Sequence, residues 1–419
     1  MNNSTNVDWG SKWAEKARSK VGSPALSKSE RMEQDERFKK VLAENNCECF
    51  VAIDVSHFTY LSGVVLPYAE QNAFPQAAVF RTNNSSQDIL ICPPEWIHLS
   101  ASQGWWGKIE SYSYNDGSPL EVLVATLAKV VVEKKLENIR IGLDSSVLPV
   151  LLVERIKEEL PNVKWVDCDV SLRELRMIKT KAEIKLLEEA SRQADRAIIS
   201  ALNHMEGNIY DPLGYDIWEF TERIRVHVGE FGGSGTGNLT TLQGSDSAKY
   251  YRPPRRGLLE PGNLVRTEVS NHHLGYWSDS GRTFVTGQPA PEQLETYRNN
   301  IRLKNVAVNA LRPGTTCTAV YQAVQKAAVR ENIAFWSEPG IGHGVGVSER
   351  EAPYIVAEDS TVLRTGMVLV LAIYTFGPNR ELLCTKDTYE ITKDGCRLLS
   401  WYKNWDNLYV VIGDTARHG

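Results

Sequence analysis

The spacing of apolar residues changes character once along this chain, near residue 170, and that change limits what it can fold into. Before it, short strand-like runs alternate with helical stretches. CFVAIDV, AAVFRT and DILICPP come first, then PLEVLVATLAKVVVEKK ahead of RIGLDS, and VLPVLLVERIKEELP ahead of VKWVDC. Strands and helices in alternation predict a layered α/β domain. A helix over Ser29–Asn45 precedes it, because Met32, Phe38, Val41 and Leu42 recur among charged residues. Residues 1–28 are polar and weakly patterned, as a flexible arm or a segment packed on a partner subunit would be.

Beyond residue 170 the order is different. Helical periodicity runs over Lys181–Leu202 and again over Asp216–Val228. The stretch GEFGGSGTGNLTTLQGSDS follows; it has neither GxxxxGK[ST] nor GxGxxG and reads as a turn-rich loop near a cleft. NLVRTEVS and LGYWSDSGRTFVTG read as strands, with His272 and His273 in a surface turn between them. Helices fit Gln293–Ala310 and Thr318–Glu331. TGMVLVLAIYTF and KDTYEITKDGCRLLS close the chain as antiparallel strands with a Lys-Asp-Gly turn. The expected organisation is an α/β domain over 1–170 and an α+β domain over 171–419.

Bulk properties narrow the function. At 419 residues the chain has room for two or three cores. Its formal net charge of -5 supplies no basic field for nucleic acid or anionic lipid. No apolar run reaches membrane-span length, and MNNSTNVDWGSKW lacks the apolar core of a secretion signal, so a cytoplasmic setting is expected. The seven cysteines are an odd number, and Cys47 and Cys49 have no second pair to complete a zinc cluster; reduced thiols are the expectation. His57 and His204 read as scaffold or surface histidines.

Five segments, in order over roughly residues 170 to 400, carry a resemblance. LRMIKTKAEI resembles the junction at which the second domain of the creatinase, aminopeptidase P and prolidase family begins. GYWSDSGRTF is similar to that family's GYxSDxTRTF strand, EPGIGHGVG with EREAP to its GHGxG…HExP segment, TGMVLVLAIY to its GMVxTxEPG strand, and KDTYEITKDGCRLLS to its final EDTVLVTEDG hairpin. FTYLSG is a looser match in the first domain. The resemblance implies an α/β N-terminal creatinase-like domain plus an α+β pita-bread C-terminal domain, and a homodimer, since in this family a partner's N-terminal domain often helps close the site.

Metal-bound members of the family use two aspartates, one histidine and two late glutamates. Carried over, these positions fall at Glu268, Asp279, His343, Ala372 and Lys386. An alanine binds nothing, and a protonated amine has no lone pair for a metal. The resemblance therefore implies no dinuclear site and no metal cofactor, with Lys386 as a countercharge to Glu268 and Asp279. The family's upstream histidine falls at Tyr251, and the histidine of HExP at Arg350, ahead of Glu351. Creatinase shows that this fold can act without a metal.

The leading expectation is metal-independent hydrolysis of a C–N bond in a small molecule. His343 would be the proton shuttle, with Glu268, Asp279, Tyr251 and Lys386 beside it. Arg350 and Glu351 are candidate substrate ligands, with Phe74, Trp105 and Trp106 from the first domain; Arg282 is expected to hold Asp279's strand. Three alternatives stand open: a mononuclear, Xaa-Pro-peptidase-like hydrolase; a lyase or decarboxylase; and a non-catalytic binding protein.

Overall fold

The computed structural model describes residues 26–66, 75–208, 215–249, 255–377, 379–400 and 404–411. Contacts divide the chain into two units, 1–176 and 177–419.

The first unit is a six-stranded sheet flanked by helices. In chain order its elements are α1 (Lys28–Glu44), β1 (Cys49–Ala52), α2 (Val55–Ser62), β2 (Ala78–Thr82), β3 (Ile89–Cys92), α3 (Ile97–Ser102), β4 (Lys108–Ser111), α4 (Pro119–Glu133), β5 (Arg140–Leu143), α5 (Val150–Glu159), β6 (Lys164–Asp167) and α6 (Asp169–Met177). The strand order is β4-β3-β2-β1-β5-β6. Parallel pairing of β1, β5 and β6 follows from the intervening helices. Capping boxes start α1 and α4: Ser27 with Glu30, and Ser118 with Glu121. Val51, Phe80, Ile91, Leu127, Val131 and Leu143 lie in the core between sheet and helices. His57 is a scaffold residue, buried with Nδ1 3.4 Å from Asp144 and Nε2 3.6 Å from Asp169.

The second unit contains α7 (Lys181–Asn208), α8 (Ile217–Glu230), β7 (Gly235–Gln243), β8 (Leu264–His273), β9 (Tyr276–Thr286), α9 (Pro291–Ala310), α10 (Cys317–Arg330), β10 (Gly342–Gly344), β11 (Glu351–Tyr354), β12 (Val368–Phe376), β13 (Leu382–Ile391), β14 (Cys396–Leu398) and β15 (Tyr409–Val411). Its nine-stranded sheet runs β11-β10-β12-β13-β9-β8-β7, with β14 on β13 and β15 on β9. Helix α7 buries Leu187, Ala190, Ala194, Ile198, Ala201, Leu202 and Met205, a stripe at three- and four-residue spacing. Its small alanines let the backbone approach the sheet closely.

Two local expectations are corrected. The glycine-rich stretch is not a loop throughout: Gly235–Gln243 forms the edge strand β7. Edge placement suits a glycine-rich strand, and an added Cβ at Gly237 would meet Trp277, Glu349 and Ser270 at 2.8–3.1 Å. His272 and His273 end β8 rather than lying in the turn. The turn is Leu274-Gly275, both with positive φ, the geometry of a two-residue hairpin.

Candidate active site

Residues opposite each other in neighbouring antiparallel strands point to the same face, and faces alternate along each strand. The tight Leu274-Gly275 turn sets β8 on β9 so that Glu268 faces Gly281 and Ser270 faces Asp279. On the far side of β9, Lys386 of β13 also faces Gly281. Ala372 of β12 lies opposite Lys386, and His343 of β10 opposite Val370. One sheet face thus gathers Arg266, Glu268, Ser270, Asp279, His343, Ala372, Tyr374 and Lys386. The residues between them point to the helices. There Arg282 donates to Asp195 at 3.0 Å and lies 2.9 Å from Asp387, the strand-holding role expected of it.

Lys386 is the hub of the site face. Its Nζ lies 2.6 Å from Glu268 Oε2 and donates to Asp279 Oδ2 at 2.9 Å and Oδ1 at 3.2 Å. The Tyr374 hydroxyl donates to Glu268 Oε2 at 2.9 Å, and the Arg266 guanidinium pairs with Glu268 Oε1. Glu268, Asp279 and Lys386 are each no more than 2% exposed. Burial pushes the Asp279 carboxyl up, but the Lys386 ammonium and then His343 outweigh it and hold the group well below the usual carboxylate range.

His343 Nδ1 lies 3.0 Å from the Gly344 carbonyl, which can only accept, so Nδ1 carries the proton. Nε2 is buried and makes no hydrogen bond to the described residues, lying 3.5 Å from Asp279 Oδ2. This arrangement suits a proton acceptor: Nε2 has a lone pair to offer, and the ionised Asp279 stabilises the imidazolium that results.

The donor set does not fit the family's two-ion site. Ala372 offers no ligand atom and lies among Tyr374, Leu382 and Cys384. A divalent ion held by Glu268 and Asp279 would sit roughly 3 Å from the Lys386 ammonium. That repulsion is on the order of 10 kcal/mol at an effective dielectric constant of about 20. Among the described residues, no group of three or more His, Cys, Asp or Glu side chains is arranged to hold a metal ion.

The sheet therefore brings Glu268, Asp279, His343 and Lys386 together. Among the described residues, Glu351 and Trp105 do not join them. Glu351 is buried and accepts from Lys179 Nζ at 2.6 Å, so its carboxylate is held by a partner within its own unit. Arg350 is exposed. Trp105 is a core residue and not a cleft residue: it is fully buried, and its indole N–H donates to the Lys108 carbonyl at 3.1 Å. Trp106 lies with its ring centre 4.9 Å from that of Trp105, tilted by 31°, with the Arg31 and Arg81 guanidinium groups over its ring. Tyr251 and Phe74 lie outside the described residues.

Sequence reasoning missed several members. Arg266 and Tyr374 carry a visible signal, each two residues from a predicted site position on the same strand face. Gly281 stands where the GYxSDxTRTF strand has threonine. An added Cβ at Gly281 would meet Cys384 Sγ at 2.9 Å and the Lys386 stem at 3.1–3.2 Å. Glu349, from the loop before β11, had no such signal. It reaches the face through Ser270, whose hydroxyl donates to Oε1 at 2.7 Å.

A model of metallopeptidase family M24 matches residues 185–397, and one of the creatinase/prolidase N-terminal domain matches residues 36–178. The Xaa-Pro dipeptidase of Pyrococcus horikoshii is 28% identical over 270 residues, 64% of this chain and 75% of that protein. The Xaa-Pro dipeptidase of Lactobacillus helveticus is 24% identical over 315 residues, 73% of this chain and 81% of that protein. Among solved structures, an Xaa-Pro dipeptidase from Bacillus anthracis matches with a TM-score of 0.76 at 20% identity, covering 90% of this chain and 99% of that one. The N-terminal domain of FACT complex subunit SPT16 from Cicer arietinum matches with a TM-score of 0.68 at 14% identity, covering 90% and 98%. The fold is thus a creatinase-type N-terminal domain followed by a pita-bread domain, and it is shared by chains named as peptidases and by one named as a complex subunit.

Proposed function

The chain belongs to metallopeptidase family M24, and from that premise we propose that it hydrolyses a C–N bond without a divalent ion at the family's metal position. The observation that carries this is the Lys386 ammonium within 2.9 Å of both remaining carboxylates. It supplies the positive charge that buried Glu268 and Asp279 require. His343 Nε2 takes the proton of an attacking water as its oxygen bonds to the carbonyl-type carbon, and Asp279 stabilises the imidazolium. Lys386 keeps Asp279 ionised for that task. A small amide or amidine nitrogen is the leaving group.

A second reading, a metal-dependent Xaa-Pro peptidase, is favoured by the names of the relatives. It requires Lys386 to leave the carboxylates or to lose its proton. A third, a non-catalytic binding protein, is favoured by how fully Glu268 is satisfied from within the site, by Lys386, Arg266 and Tyr374.

One experiment separates the three. The purified protein is assayed for bound metal and then offered Gly-Pro, creatine and N-acetylglycine, with chelator and with added manganese or zinc. Hydrolysis that persists in chelator is the expected result. Hydrolysis only with a divalent ion, or stoichiometric bound metal, supports the second reading. No turnover in any arm supports the third.

A further inference from the structure

Among the described residues, no cation forms an ion pair with one carboxyl beside this site, that of Glu349. Both oxygens of Glu268 are engaged by Lys386, Arg266 and Tyr374, and both oxygens of Asp279 by Lys386. Glu349 differs. Its Oε1 is fixed by the Ser270 hydroxyl at 2.7 Å, while Oε2 takes no hydrogen bond from the described residues. Ser270 stands directly opposite Asp279 in the β8–β9 ladder, so this bond brings the Glu349 carboxyl to the site face next to Asp279. Room for it is made on the edge strand: a Cβ at Gly237 would come within 2.9 Å of Oε2.

From this placement we infer that Glu349 is a further catalytic residue of the site, the acid that gives its proton to the departing nitrogen. The inference rests on the proposed C–N hydrolysis. In the step, the water oxygen bonds to carbon and its proton passes to His343 Nε2. The C–N bond breaks with its electron pair going to nitrogen, and that nitrogen takes the proton of the Glu349 carboxyl. Exchange with solvent then returns a proton from His343 to Glu349, and the net change is addition of one water.

The surroundings of Glu349 suit the role. Burial and then the charge of Asp279 push its carboxyl up from the ordinary glutamate range, against the opposing pull of Ser270, Lys386 and Arg350. Asp279, a neighbouring carboxyl, is moved the other way. With the two carboxyls driven apart in this manner, Glu349 is the one suited to carry a proton, while Asp279 stays ionised to stabilise the His343 imidazolium.

Infrared spectroscopy tests the assignment without any substrate. Followed as pH is raised, the wild-type spectrum should contain the carbonyl stretch of a protonated carboxylic acid that E349Q lacks, and the band should outlast the ~4.3 midpoint of a free glutamate. In S270A, which removes the bond that favours ionisation, that band should persist to higher pH. Superimposable wild-type and E349Q spectra would overturn the inference. On whichever probe the wild type hydrolyses, E349Q should lower kcat roughly 10²–10⁴-fold, the span of general acid catalysis, with little change in KM. Hydrolysis undiminished in E349Q overturns Glu349 alone. A wild type that hydrolyses no probe overturns the reaction and the catalytic role together, whatever the infrared band shows.

Discussion

Gly281 stands directly opposite Lys386 in the β9–β13 ladder, and the lysine stem lies where a side chain at 281 would be. The two residues therefore form a matched pair: the long cation reaches Glu268 and Asp279 because its neighbour has no Cβ. G281T should destabilise the fold by about 1–3 kcal/mol, the usual cost of overpacking a filled interior. G281T/K386A should lose less than the sum of the single changes, because K386A removes the lysine Cγ that a side chain at 281 would meet at 3.1 Å and leaves only the contacts with Cys384 Sγ and the Cβ of residue 386. Urea unfolding of the four chains measures this, and strict additivity would show that the two positions are independent.

Lys386 also governs how the site responds to pH. The folded-state pKa of Asp279 is depressed, so its contribution to stability is present above the unfolded value of about 3.9 and is lost only as pH falls through the folded value. In K386M the effect of burial is no longer opposed by the ammonium, the strongest of the groups that lower this carboxyl. With only His343 left to oppose burial, the folded pKa of the carboxyl should move up, so that less of its contribution survives near neutral pH. K386M should cost about 3–5 kcal/mol near pH 7, as removal of one member of a buried pair does. The gap to wild type should narrow toward pH 5. A gap that widens on acidification would contradict this account.

Much of this site is readable from residue order because sheets have a period of two. Glu268 and Ser270, Asp279 and Gly281, and Ala372 and Tyr374 fall on one face by counting alone, and the Leu274-Gly275 turn then fixes the register. Glu349 was not readable in this way. It enters from a loop, and its bond to Ser270 spans 79 residues. The Lys179–Glu351 contact spans 172 residues and turned an expected substrate ligand into a structural one. Glycines concealed β7, since a strand pinned by neighbours on one edge needs little local propensity. Trp105 was misplaced because an aromatic doublet reads alike whether it lines a cleft or fills a core.

Restoring both late glutamates should recreate ion binding. A372E/K386E places carboxylates opposite each other at the paired positions, beside Glu268, Asp279 and His343. Oxygen and imidazole donors of this kind suit divalent ions. Calorimetric titration with manganese should then show uptake that wild type lacks. Thermal stability should rise by about 2.7 kcal/mol when the ion is at 100 times its Kd. A folded double variant that takes up no metal would argue against the residue matching.

The Lys179–Glu351 pair ties the start of the second unit to β11. Both residues are buried, so neither charge has water to fall back on. K179M should cost about 3–5 kcal/mol by taking the Lys179 ammonium from one member of a buried pair. K179M/E351M should recover much of that loss, because well-packed apolar replacements of a buried pair are often neutral. If Glu351 instead served a ligand, the double change would be no better folded than the single one. Chemical denaturation of the three variants decides between these outcomes.

Glu349 yields a stability prediction of the opposite sign to that of Asp279. Its folded pKa is raised, so its favourable contribution is present below the unfolded value and is lost as pH rises through the folded one. Above that point the wild type carries a carboxylate, near Asp279, that burial disfavours. E349Q removes that charge, and its amide can still accept from the Ser270 hydroxyl. The variant should therefore be more stable than wild type at pH 8, and the difference should shrink steadily toward pH 4. Thermal unfolding across that range reads both the sign and the slope. A variant less stable than wild type at pH 8 would mean that the ionised carboxyl is a structural asset, held by cations that the present geometry does not bring within reach.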